Sequence, residues 1–481
     1  MKHCTLFIFV LFIVAGFFSC KKDTDIKYTG NTINGIAFSK DTVYFDTVFA
    51  QVGSVTKRMR IYNTTNTAIT IDNIRLAGSS SSPFRLNVDG TNGTNFSAVT
   101  IPARDSIFVF VEVTINPNNS LNPFVVLDSV YVQVGSSTGK FYLQALGRNA
   151  YYHLPNLGNS IGIVAPENQT TTWANDKPHV VYKWAAIDST GTLIIPAGTQ
   201  VYFLDKASGI WVYHQGTLQV NGTASQPVTF QGGSHDTIYK NDGGQWNRIF
   251  INEGSANNYI HHAVIKNGFI GIQCQPLRSF SEPNGLDLQS VVIQNCKQAG
   301  ILSTAFTTTI TNCIVSNCEQ AGVIFNGGNN TMTNCNIINL HTADRQNPSL
   351  AIQDKSLPIE FNGQYIQLED IPTTTKIKNT IITGNLENEV VINDITPGNF
   401  NTQLDYCFIK AKNEDIQFVQ PYLTVNIKNN QDVLFENSID QNYQLKPNSP
   451  AIDWADASVS PPTDLRNMPR ITPDCGALEK Q

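Results

Sequence analysis

Two stretches of this chain carry side chains able to move protons or bind anions, and each lies between apolar runs. The shorter, 275–284, contains Arg278 and Glu282. The longer, between Asn339 and Thr375, begins with His341, Asp344 and Arg345 and continues through Asp354, Lys355, Glu360, Tyr365, Glu369 and Asp370. A third group is His261 and His262 beside Lys266, which could touch an anionic sugar. Glycoside hydrolysis needs two carboxyl groups at a defined separation. Proton abstraction from a uronate uses an Arg or Lys base, with acids holding calcium or neutralising the sugar. Arg278, Glu282, His341, Asp344, Arg345, His261 and Lys266 are therefore candidate ligand-binding residues. Loop-ordering networks and surface histidines account for the same residues without a ligand, so no catalytic residue is assigned. Trp211, Tyr213 and Trp246 could stack on sugars; packing in a core or at a rim is the plainer reading.

What must position these residues is a repeat. Leu288, Ile310 and Met332 recur at a spacing of 22, as do Ile293, Val315 and Ile337, while Ala299-Gly300-Ile301 returns as Ala321-Gly322-Val323. Extended outward, one column reads Ile260, Leu288, Ile310, Met332, Ile377, Leu404, and a second reads Ile265, Ile293, Val315, Ile337, Ile382, Ile409. Between them run Ala263, Val291, Cys313, Cys335, Thr380 and Cys407. Successive offsets are 28, 22, 22, 45 and 27, so the surplus residues are insertions between rungs, and the offset of 45 has room for a further rung. A fixed period of this size means a solenoid, in which each unit buries its apolar face only against its neighbours. Short β-branched runs broken by Asn and Gly argue for strands and tight bends rather than helices. Asn267, Asn295, Asn317 and Asn339 form a further column, ended by Gly384 and Ala411, and are expected to stack as a structural ladder.

From about Ile161 to Gln481 the chain resembles the right-handed parallel β-helix family of secreted bacterial proteins, which has the pectate-lyase-like fold. The resemblance rests on Thr192-Leu-Ile-Ile-Pro-Ala-Gly-Thr199, Gly216-Thr-Leu-Gln-Val-Asn-Gly-Thr223 and Pro227-Val-Thr-Phe230. It rests also on Gln245-Trp-Asn-Arg-Ile249, where Arg248 takes the usual place of Gly, and on the close from Ser449 through Asp453, Asp464, Arg466, Arg470 and Asp474 to Glu479. The resemblance implies that this close is an end cap held by ion pairs. It specifies fold strongly and function weakly, since such helices serve lyases, hydrolases, adhesins and scaffolds. Its enzymes set charged groups on outward strand positions of adjacent coils. Here those rows read His261, Gln289, Thr311, Thr333, Lys378, Asp405 and Lys266, Gln294, Ser316, Ile338, Thr383, Lys410. Neither places two carboxylates on neighbouring rungs, which counts against a hydrolase on that face.

At the N-terminus, Lys2 and His3 precede an uncharged apolar run ending Phe17-Phe18-Ser19-Cys20. The run is too short to span a membrane and fits a secretory signal. Its end resembles a bacterial lipoprotein cleavage site, implying residues 1–19 as signal peptide, acylation of Cys20, a tether over 20–33 and an outer-membrane address, facing the periplasm or the cell surface. Of nine cysteines, those at 313, 335 and 407 fall in the interior column and read as small apolar fillers. Cys296 and Cys318 also stack, and whether they pair is open. No Cys-x-x-Cys or His-rich cluster suggests a metal. A net charge of −6 without a basic run argues against nucleic acid.

Residues 34–147 change to longer alternating strands, among them 42–49, 58–62, 106–113 and 129–134. With Ala98-Val-Thr-Ile-Pro102 and Asn116-Pro117 this segment resembles immunoglobulin-like domains of the flagellar and spindle-associated type. The expected chain is thus all-β: an Ig-like β-sandwich, a linker over 148–160, and a right-handed parallel β-helix over 161–481. The expected function is non-catalytic binding of an extracellular glycan or another surface ligand, without cofactor. The alternatives are a polysaccharide lyase, for which Ca2+ would be the cofactor, less readily a glycoside hydrolase, and a structural or adhesive surface component. Partners would be the outer membrane through the lipid and a polysaccharide or surface protein.

Overall fold

In the computed structural model the described residues are 30, 32–118, 123–233, 239–278, 284–342, 345–356, 358–361, 363–394, 398 and 400–480. The chain divides into two units, residues 1–149 and 150–481. The second is a parallel β-solenoid. Each rung supplies three short strands, for example Thr192–Pro196, Gln200–Phe203 and Gly209–Val212. Copies of the first two merge into an eighteen-stranded sheet, and copies of the third form a nine-stranded sheet.

The apolar columns stand in register. Ile260 pairs with Leu288, Leu288 with Ile310, Ile310 with Met332, Met332 with Ile377, and Ile377 with Leu404. Ile265, Ile293, Val315, Ile337 and Ile382 follow one another in the same way. All belong to a single buried cluster running the length of the tube, so each rung's apolar edge is removed from water only by its neighbours. Cys313, Cys335 and Cys407 lie in that interior as free thiols, and Cys296 and Cys318 are likewise buried and unbridged. Burial pushes the Cys274 and Cys407 thiols well above their ordinary values, so they are inert fillers.

Four expectations change. Met332 pairs directly with Ile377, so the offset of 45 conceals no further rung; the surplus is an insertion carrying the hairpin Ile359–Phe361 and Gln364–Ile366. The expected linker contains Tyr151–His153, which already pairs with His179–Val181 in the solenoid. The Asn column is not a ladder of mutually bonded amides. Asn267, Asn295 and Asn317 adopt left-handed backbone, and so does a second file the sequence reading overlooked, Asn312, Asn334 and Asn379. Their side chains mostly reach other segments: Asn312 donates to Thr463 O, Asn334 to Asp474 O, and Asn379 to Asp456 O.

Those bonds expose the fourth change. The segment from Val433 to Glu479 does not cap the tube; it lies along its side. It covers outward side chains of successive rungs: Ile381 and Phe408 pack with Val433, Leu445 and Cys475, and Ile314 and Ile338 with Tyr443, Ala477 and Leu478. The helical turns Ile416–Val419 and Gln420–Tyr422 sit over the last rungs instead, with Val419 in the main core. Within the lateral segment the acids mostly accept backbone N–H groups. Asp464 takes those of Arg466, Met468 and Glu479, and Asp474 those of Asp453 and Lys480. Among the described residues, Arg470 forms a buried ion pair there, with Glu479.

The first unit has a six-stranded and a five-stranded sheet, mostly antiparallel. Ser106–Val113 alternates buried residues with half-buried or exposed ones, as expected of a strand with one face on a core. Ile61, Val109, Ile74, Val132 and Phe141 from both sheets share one buried cluster.

Candidate functional site

The nine-stranded face carries aromatic side chains on its outer surface. In a strand, alternate residues face out, so Ile210 and Val212 fill the core while Trp211 points away. Parallel register then sets Trp211 beside Ala186 on one side and Phe250 on the other, and Phe250 beside Gln273. Trp211 and Phe250 stack at 6.5 Å, Trp184 meets Trp211 edge-on at 6.2 Å, and Tyr213 meets it edge-on at 5.5 Å. All four rings are half-buried. Amides flank them: Trp211 Nε1 donates to Asn252 Oδ1 at 2.6 Å, and Asn252 Nδ2 to Gln275 O at 2.9 Å. Gln273 Nε2 donates to Gln275 Oε1 at 2.8 Å, while the buried Gln275 Nε2 has no hydrogen-bond partner among the described residues.

Arg278 belongs to this group. Its Nε lies 2.8 Å from Glu253 Oε1, its Nη2 donates to the Tyr213 hydroxyl at 2.7 Å, and its guanidinium sits 5.5 Å from the Tyr213 ring centre. The Glu253 side chain is 0% exposed, against 43% for Arg278. His214 lies 3.3 Å from the same carboxylate, whose second oxygen accepts Leu277 N–H at 2.8 Å. Glu253 therefore has a cation and a backbone donor in place. A further acid, Asp205, is tied to Lys183 at 3.0 Å and accepts from Ala207 N and Ser208 Oγ, and these donors hold its carboxyl below the usual value against the opposing effect of burial.

Arg248 lies on the adjoining rung. Its Nε donates to Asn247 Oδ1 at 2.6 Å, its Nη1 to Gln273 Oε1, and it sits 5.7 Å from the Phe269 ring centre. Burial lowers its pKa to about 10.

The other candidates are placed apart from these rings. Arg345 is sealed inside the fold: its side chain and that of Glu389 are both 0% exposed and form an ion pair. Arg345 also bonds Asn385 Oδ1 and Asn347 O, and Glu389 accepts from Ser349 and Leu386, so both charges are satisfied. A Cβ on Gly384 would strike Glu389 Oε1 and Arg345 Nη2, which is why the Asn column ends in glycine there. His341 contacts Ser438 Oγ of the lateral segment at 3.1 Å. His261 Nε2 lies 2.9 Å from Asp287 Oδ2 on the next rung, and Lys266 is half-buried. Trp246 is an interior residue, stacked on Phe203 at 4.2 Å with Nε1 donating to Lys266 O. Glu282, Asp344 and Cys20 lie outside the described residues. Of the outward row beginning at Lys266, Ser316 and Ile338 are fully buried, and Ile338 packs beneath the lateral segment.

Of the residues singled out in the sequence, Arg278, Trp211 and Tyr213 come together on this face, beside Glu253, Asn252, Trp184 and Phe250, which the sequence reading did not name. The register to recover them was present in Gly209-Ile-Trp-Val212 and Ile249-Phe-Ile251, whose alternation puts Trp211 and Phe250 outward; those strands were left out of the aligned columns.

No family model and no curated protein matches the chain. Solved structures with local similarity include a family 123 glycoside hydrolase from Clostridium perfringens, described for glycolipid glycan hydrolysis (10% identity, 28% of this chain and 26% of that one, TM-score 0.19). The chain thus spans about a quarter of that protein's length. Another is the catalytic domain of a GH87 alpha-1,3-glucanase in complex with nigerose (12% identity, 73% of this chain and 81% of that one, TM-score 0.21).

Proposed function

We propose that this protein is a non-catalytic glycan-binding lipoprotein of the bacterial outer membrane, anchored through Cys20. In this reading a first unit of Ig-like type spaces a right-handed β-helix from the membrane. The observation that carries it is the ring group Trp184, Trp211, Phe250 and Tyr213 on one outer face, flanked by the amides of Asn252, Gln273 and Gln275. Flat rings receive the apolar face of a sugar, and amides match its hydroxyls. Hydrolysis asks for two carboxyl groups about 5–10 Å apart, one of them protonated. Among the described residues, the acid tied to these rings through Arg278 and Tyr213 is Glu253, and it is paired with a cation. That favours binding over cleavage.

The test is a panel of extracellular oligosaccharides titrated calorimetrically against the purified protein, with products assayed in parallel. Binding without new reducing ends or unsaturated products is expected. A panel cleaved by the protein, or ignored by it, would sink the reading.

A further inference from the structure

The role of Arg248 rests on the glycan-binding reading above. A half-buried guanidinium normally has a carboxylate against it, because withdrawing a charge from water without a counter-charge is expensive. Arg278, Arg345 and Arg470 each have one. Arg248 has none among the described residues: its acceptors are the neutral amides of Asn247 and Gln273, and its remaining neighbour is the Phe269 ring. The register explains why. Gly209 stands level with it on the preceding rung and Gly271 on the following one, and a glycine supplies no acid. The amides nonetheless hold the guanidinium in a fixed orientation on the rung that carries Phe250, with Gln273 shared between Arg248 and Gln275.

We infer that Arg248 is the specificity determinant of this face, and that it pairs with the carboxylate or sulfate of an anionic saccharide bound across the Trp211–Phe250 rings. Arg presents donors in a planar fork that matches either anion, and a charge-assisted pair in a partly dry site contributes enough to discriminate roughly tenfold. The aromatic rings take the sugar faces, and Arg248 selects the charged sugar among them.

The experiment compares a hexuronate oligosaccharide with its methyl ester, and a sulfated oligosaccharide with its unsulfated parent, by calorimetry at low and high NaCl. The wild-type protein is expected to prefer at least one charged probe by roughly tenfold, and the preference should shrink as salt rises. Arg248→Gln should bring the ratio to about one, whereas Arg248→Lys should keep part of it. Should Arg248→Gln fail to fold, Gln273→Glu serves: it places a carboxylate on the guanidinium, raising the melting temperature and removing the preference. Equal binding of charged and neutral probes by the wild type, or a preference that survives both variants, overturns the inference while leaving glycan binding intact. Absence of binding to every probe, neutral ones included, overturns the underlying reading and this inference with it.

Discussion

Trp211 and Arg345 have separable roles. Trp211 presents a half-buried ring whose Nε1 is already occupied by Asn252, so its free face is what remains for a ligand. Trp211→Ala is expected to lower glycan affinity by about five- to a hundredfold, from loss of stacking of roughly 1–3 kcal/mol, while the circular dichroism spectrum stays unchanged; unaltered affinity would move the site elsewhere. Arg345 behaves differently because its charge is spent inside the fold. Removing one partner of a sealed pair strands the other, at about 3–5 kcal/mol. Arg345→Met should therefore drop the melting temperature sharply, and Arg345→Met with Glu389→Leu should recover part of the loss. Glycan affinity should follow neither variant. Arg345 shows where spacing alone misleads. It stands in a polar insertion that reads as a surface loop, and only its contact with Glu389, 44 positions on, reveals a structural charge.

Among the elements, the solenoid columns were legible because burial on every rung forces the same residue types to the same register. Ile260 through Leu404 could be aligned by eye, and the strands pair as aligned. The lateral segment was not legible, since its packing partners, Ile314, Ile338, Ile381 and Phe408, lie more than a hundred or only a few tens of positions away and share no period with it. The first rung hides a comparable device. His153 Nε2 lies 2.8 Å from His179 Nδ1, whose other nitrogen donates to Ala174 O, and both rings stack on Trp173 at 4.4 and 4.2 Å. Burial and the facing His179 lower the His153 pKa to about 3, and burial lowers His179 against the opposing pull of Asp176. Tyr151 and Lys177 complete the surroundings, with the Tyr151 hydroxyl on Asp176. Both folded pKa values lie below the unfolded value near 6.5, so the unfolded chain binds more protons as pH falls. Stability is present in full above about 6.5 and is lost from there toward 3. Chemical denaturation at pH 7 and pH 4.5 should differ by roughly 2 kcal/mol, and His153→Phe should flatten the difference; a flat wild-type profile would refute the stack as a protonation-sensitive joint.

At the scale of the whole molecule, two units with separate cores should be separable by experiment. The first unit encloses Phe38, Ile61, Val109 and Phe141, and the second has its own continuous file of buried residues, so neither core borrows from the other. Each is large enough to unfold as a cooperative body. Calorimetry of the full chain should accordingly show two transitions, and Ile310→Ala, which opens a cavity in the solenoid at about 2–5 kcal/mol, should lower one of them and leave the other in place. The same division bears on the anchor. If Cys20 carries the lipid, Cys20→Ser should move the protein from the membrane fraction to the soluble one without altering either transition or the affinity for glycan. Retention of the Cys20→Ser protein in membranes, with a mass showing no acyl chain on the wild type, would refute the anchoring and leave the solenoid's binding face untouched.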